Sequence, residues 1–232
     1  MRVLVYAMPS SGASLFTSFL AQTHDSLAIV DMWSLVPPLR SEFPVIVKVT
    51  LDCAITFEDH CRSFGPDLRI LFLRDPRDTY QSLNAKYYKD IRGTILEKLQ
   101  VLDRAFARRS ELFDLVVMYE DFIRDPAGVA GVLQASGLDI PGDASQFSRG
   151  PQQIARFAMD KSDWCRRNYL KLFGFGNLHF LDWGTLKRLS YPAPSEETMA
   201  AIGSACPRVE AHYASLRIPA DSQPAFGLNI PE

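Results

Sequence analysis

Short apolar runs alternate with helix-length segments through residues 1–138, a pattern of strands separated by helices. Arg2–Met8 is an apolar run with strand character, Pro9–Ser14 is a turn of small residues, and Leu15–Gln22 carries helical apolar spacing. Leu27–Asp31 reads as a short strand. Trp33–Arg40 reads as a short helix or loop stopped by Pro37 and Pro38. Pro44–Thr50 is an apolar strand that carries Lys48 near its end, and Ala54–Phe64 is a helix closed by Gly65 and Pro66. Leu68–Arg74 is a further strand, followed by a helix over Arg77–Tyr88 and helical periodicity over Ile91–Leu112. Asp114–Tyr119 completes the strands, and Asp125-Pro126 opens a helix that ends near Gly137.

Apolar strands separated by helices predict an α/β fold: a central parallel sheet flanked by helices, with ligands at the C-terminal ends of the strands. The loops after Met8, Thr50, Arg74 and Tyr119 are then expected to converge. From Asp139 the pattern weakens. Residues 139–160 are rich in glycine, proline, serine and glutamine and suggest a surface or lid-like segment. A basic and aromatic stretch, Trp164–Phe175, follows, and Ser195-Glu-Glu opens a helix to about Leu216. The expected organisation is one domain over 1–232, with a core of 1–138 and a substrate or lid part with C-terminal helices over 139–232.

The composition narrows the partners. The chain has 232 residues, 47% hydrophobic, with 25 basic and 27 acidic side chains and a formal charge of -2. That balance calls for no nucleic-acid or membrane partner. Cys53, Cys61, Cys165 and Cys206 are scattered, form no metal-ligand spacing and suit a reducing compartment. With the first strand expected from Arg2, no signal peptide is expected and the location is expected to be cytoplasmic.

The chemistry concentrates at two places. A strand that turns through Gly12 into a helix leaves backbone N–H groups unpaired where the helix dipole favours an anion, so Pro9, Ser10, Ser11, Gly12, Ala13, Ser14 and Leu15 form a candidate phosphate or sulfate cradle. Arg74 ends a buried strand, and Ser82 lies about two turns into the next helix. Together they can bracket a second phosphate, unless Arg74 pairs with Asp75 or Asp78.

These segments resemble the sulfotransferases that use 3′-phosphoadenosine-5′-phosphosulfate (PAPS). Pro9-Ser10-Ser11-Gly12-Ala13-Ser14 is similar to that family's 5′-phosphosulfate loop. Arg74, Pro76 and Ser82 match its Arg-x-Pro signature with a serine eight residues after the arginine, which binds the 3′-phosphate. Tyr119-Glu120-Asp121 with Asp125-Pro126 resembles a third segment near the adenine. The resemblance implies a P-loop nucleotide-kinase-like sulfotransferase fold, PAPS as donor, adenosine 3′,5′-bisphosphate (PAP) as product, no metal and a small-molecule acceptor bearing a hydroxyl or amine.

The departures from the family pattern bear on catalysis. Ser10 stands where the family usually has a lysine or arginine, so Lys48 is the expected cation for the leaving group. Thr50 stands where many members place a histidine base, and a threonine hydroxyl is no base at neutral pH. Asp52 is the first candidate base by position, with His60, Glu58 and His24 behind it. Arg166 and Arg167 are suggested, by composition and order, as a late contribution to the 3′-phosphate site. A nucleotide or small-molecule kinase is the rival enzyme, although the loop lacks G-x-x-x-x-G-K-[ST]. A non-catalytic nucleotide-binding protein of the same fold is the other rival.

Overall fold

The computed structural model describes residues 1–22, 25–140, 149–173 and 193–216. The chain runs β1 (Arg2–Ala7), α1 (Ala13–Leu20), β2 (Leu27–Met32), β3 (Val45–Thr50), α2 (Phe57–Phe64), β4 (Leu68–Leu73) and α3 (Pro76–Asn84). It continues with α4 (Ile95–Ala107), α5 (Arg109–Leu112), β5 (Leu115–Met118), α6 (Tyr119–Arg124) and α7 (Pro126–Ala135). The remaining helices are α8 (Pro151–Lys161), α9 (Asp163–Phe173), α10 (Glu196–Ala205) and α11 (Pro207–Leu216).

Among the described residues the strands form one sheet in the order β2-β3-β1-β4-β5, and every pairing is parallel. The register fixes the functional rim: Ala7 lies opposite Thr50 on one side and Phe72 on the other, and Leu73 lies opposite Met118. The loops expected to converge therefore start at one edge. Alternation sorts the strand residues into two cores. Val3, Val5, Ala7, Ile46, Ile70 and Phe72 pack with Phe16 and Phe19 of α1 and Phe122 of α6. Leu4, Tyr6, Val47, Val49, Leu71 and Leu73 pack with Phe57 of α2, Leu99 of α4 and Tyr213 of α11. A sheet buried on both faces accounts for strands that read as continuous apolar runs.

The helix boundaries follow local chemistry. Thr56 and Thr94 each accept the N3 backbone N–H while Asp59 and Glu97 reach back, so two capping boxes start α2 and α4. The helix expected over Ala54–Phe64 begins later because Ala54 and Ile55 turn over Asp52. The single helix expected over residues 195–216 is two, broken where Pro207 opens α11. The segment expected to be irregular over 139–160 contains α8, which packs against β2 and α9. Residues 141–148 and the proline-rich tail from residue 217 lie outside the described residues.

The C-terminal pair docks by charge as well as by apolar contact. Arg77 pairs with Glu210 at 2.9 Å, Arg208 with Asp103 at 2.7 Å, and the Tyr213 hydroxyl donates to Glu120 at 2.9 Å. Burial pushes the Glu120 carboxyl above the usual glutamate range. All four cysteines are free thiols. Among the described residues no helix is long and apolar enough to cross a membrane.

Phe16 is fully buried, stacks on Phe72 at 4.7 Å and meets Phe122 edge-on at 5.3 Å. Phe16→Ala is expected to destabilise the protein by about 3–5 kcal/mol, the usual range for emptying a buried phenylalanine site. Chemical denaturation of the two proteins measures it.

Candidate active site

The turn from β1 into α1 is shaped by two left-handed residues, Ser10 at φ 63° and Gly12 at φ 86°. Gly12 is required twice over. Its φ disfavours any side chain, and a β-carbon there would lie 2.6 Å from the Tyr119 ring. The Ser11 hydroxyl turns inward and donates to the Met8 carbonyl at 2.8 Å, which ties the loop to the end of β1. The Gly12 carbonyl accepts from the N–H groups of Leu15 and Phe16. The N–H groups of Gly12, Ala13 and Ser14 have no backbone partner among the described residues, as the first turn of a helix dictates.

Arg74 lies against this loop. Its Nη1 donates to the Ser10 carbonyl at 3.2 Å, its Nη2 is 3.7 Å from Asp78, and its guanidinium carbon sits 4.7 Å above the Tyr119 ring. The pairing with Asp78 foreseen from the sequence thus coexists with a contact to the loop. Arg74 Nε and Ser10 Oγ are both buried without a hydrogen-bond partner among the described residues. Buried donors of this kind are costly unless something else satisfies them. Pro9 lies between these elements in the turn, and Leu15 packs into the core under α1. Ser82 is on α3, nearly buried. Tyr119, read from the sequence as a strand end, is the first residue of α6, which lets its ring cover Gly12 and Arg74 together.

Lys48 is 3% exposed and faces α1, because it shares the strand parity of Ile46. Its Nζ forms an ion pair with Asp31 and donates to Thr50 Oγ1 at 3.0 Å. Thr50 Oγ1 donates in turn to Asp31 Oδ1 at 3.3 Å, and Ser14 Oγ donates to Asp31 Oδ2 at 3.4 Å. The lysine expected as an available cation therefore has a carboxylate partner. Asp31 was not among the residues singled out from the sequence, where it reads only as the end of a short strand. Its position depends on an irregularity of β2. Ile29 and Met32 both belong to the core on the α2 side although three residues apart, the register slips between them, and Asp31 adopts φ 61°. The extra residue turns the carboxylate toward Lys48.

The expected bases are placed elsewhere. Asp52 is 3% exposed; its Oδ1 accepts from the Ala54 and Ile55 N–H groups and its Oδ2 pairs with Arg92 at 3.0 Å. Arg92 also donates to the Trp33 carbonyl, and buried Lys98 donates to the Lys89 and Gly93 carbonyls. Asp52 is thus part of a clamp joining the loops that carry exposed Leu35, Tyr87 and Ile91. His60 shares the inner face of α2 with Phe57 and Phe64, on the other side of the sheet from α1. Burial holds its pKa below the usual histidine value, and its Nδ1 has no hydrogen-bond partner among the described residues. Glu58 pairs with Arg108, and His24 lies outside the described residues. Arg166 and Arg167 are exposed on α9, which packs against edge strand β2, whereas Arg74 follows β4. Arg166 is engaged by Asp163 at 3.1 Å.

Among the described residues no group of three or more His, Cys, Asp or Glu side chains is placed to hold a metal. No protein-family model matches the chain, and no curated protein matches its sequence. Solved structures do. The mouse sulfotransferase SULT7A1 complexed with PAP superposes with a TM-score of 0.51 at 15% identity, covering 93% of this chain and 89% of that one. A sulfotransferase from Alicyclobacillus acidocaldarius matches with a TM-score of 0.42 at 14% identity, over 71% of this chain and 94% of that one. Retinol dehydratase in complex with androsterone and inactive cofactor PAP matches with a TM-score of 0.46 at 16% identity, over 94% and 82% of the two chains. The element order, the all-parallel sheet and the first of these superpositions agree: this chain has the sulfotransferase fold.

Proposed function

We propose that the protein transfers the sulfuryl group of PAPS to a hydroxyl or amine of a small-molecule acceptor. One observation carries this reading: two buried donors without partners among the described residues, Ser10 Oγ and Arg74 Nε, flank a helix N-terminus whose first N–H groups lack backbone acceptors. A ligand carrying two anionic groups can satisfy them, one group at the helix N-terminus and the other at the guanidinium. In this reading the N–H groups around Gly12 and the Ser10 hydroxyl hold the 5′-phosphosulfate. Arg74 and Ser82 hold the 3′-phosphate, and Tyr119 backs the loop and the guanidinium. The donor supplies an activated sulfuryl group, and Lys48 supplies positive charge as negative charge builds on the leaving oxygen. Residues 1–138 carry the donor site, and the loops bearing Leu35, Tyr87 and Ile91 border the acceptor side, which suits an apolar acceptor. A non-catalytic nucleotide-binding role is the second reading, and the neutralisation of Lys48 by Asp31 is the observation that favours it.

The donor reading predicts that PAP binds far more tightly than AMP, and that Arg74→Ala removes most of that difference, about 1.5–3 kcal/mol for hydrogen bonds to a charged group. Calorimetry with the two nucleotides tests it. Equal affinities, or a preference for ATP with Mg²⁺, would point to phosphoryl transfer instead. Lys48→Met is expected to slow conversion of PAPS to PAP by tens to thousands of fold with a smaller change in PAP affinity, the pattern of a contact strengthened in the transition state. Full activity in Lys48→Met would remove that role, and PAP binding without turnover by the wild type over a broad acceptor panel would favour the non-catalytic reading.

A further inference from the structure

Asp31 is the one carboxylate that the described residues bring to the same cluster as Ser14 of the loop helix and Lys48 and Thr50 of β3. Its presence there is costly. The backbone is held in the left-handed region, which an aspartate tolerates but does not favour, and β2 loses regular pairing to put it there. A negative charge beside an anion-binding loop also opposes the ligand for which the loop is shaped. Within the cluster, the Lys48 ammonium, the Thr50 hydroxyl and the Ser14 hydroxyl all approach the same carboxylate. Among the described residues no other base fills the place: Thr50 is not one, Asp52 is bound into a loop clamp, and His60 is on the opposite face of the sheet.

We infer that Asp31 is the counter-ion that Lys48 exchanges for the donor's anionic group, and that the carboxylate so released is the base that takes the acceptor's proton. The inference rests on the donor reading given above. The chemistry balances without a further reagent. The acceptor oxygen or nitrogen forms the new bond to sulfur as the bond from sulfur to the bridging oxygen breaks. That electron pair stays on PAP, and the acceptor's proton passes to an Asp31 oxygen. While the site awaits its donor, the ion pair keeps the buried ammonium from standing uncompensated, so Lys48 is stored in place without a loop lysine.

The exchange gives Asp31→Asn opposite effects on binding and turnover. Removing the carboxylate leaves Lys48 free for the ligand, so PAP should bind about three- to tenfold more tightly by calorimetry. The variant without ligand should melt lower than wild type, since a buried cation has lost its partner, and its melting temperature should rise more on adding PAP. Conversion of PAPS to PAP with 2-naphthol as acceptor should fall by about 10²- to 10⁴-fold, the span of general-base contributions, with Asp31→Glu retaining part of the rate. A residue that only supported the fold would weaken binding and turnover together. Weaker or unchanged PAP binding in Asp31→Asn overturns the exchange, and unchanged turnover overturns the base. Should 2-naphthol give no turnover with wild type, the base is overturned for aryl alcohols and the exchange is decided by PAP binding alone. Should Asp31→Asn fail to fold, Asp31→Glu decides: a shifted carboxylate must alter PAP affinity and rate in opposite directions. A wild type that binds no PAP fails the donor reading itself, a result distinct from a failure confined to the variants.

Discussion

The parallel pairing of β1 with both β3 and β4 is the constraint on which the rest of the molecule depends. Because Ala7 sits level with Thr50 and with Phe72, the loop before α1, the strand bearing Lys48 and the strand leading to Arg74 all finish at one rim. Strand side chains alternate, so a slip of one residue in β3 would turn Lys48 from the α1 face into the opposite apolar core and Val47 and Val49 out of it. Ile46 on one face and Val47 and Val49 on the other are fully buried, which makes such a slip expensive.

Given that register, the electrostatics at the rim follow. A lysine ammonium buried at the end of a strand needs an anion, and Asp31 provides it through a local break in β2. A guanidinium laid against the turn finds one loop carbonyl and the Tyr119 ring, but leaves Nε without a hydrogen-bond partner among the described residues. The left-handed residues at Ser10 and Asp31 both fall at this rim. Strain of that kind persists only where surrounding packing imposes it, and here the same few elements impose both cases.

The C-terminal helices support the rim from behind. Glu120 accepts the Asp75 N–H at 3.0 Å and the Tyr213 hydroxyl, so the turn immediately after Arg74 is tied to α11 through one half-buried carboxylate. The pairing of Arg77 with Glu210 holds the first turn of α3 to the same helix. Truncating α11 would thus loosen the arginine's turn as well as the core that contains Val209 and Tyr213.

The layered α/β architecture, the strand–turn–helix at Gly12 and the placement of Arg74 at a strand end are all legible in the sequence. Each is written in local terms: apolar runs of strand length, a glycine before helical spacing, a proline opening α3. The placement of Lys48 near the end of β3 is local in the same way. Which partners these residues meet depends on contacts between distant segments. Nothing local says that Asp31 turns toward Lys48, because alternation from Ile29 would place it on the opposite face, and only the slip in pairing with β3 reverses it. Nothing local distinguishes Asp52 as a loop clamp from a base, because Arg92 comes from forty residues away. Position along a strand is set by neighbours in the chain, whereas the charge that answers a buried charge comes from whatever segment the sheet brings beside it.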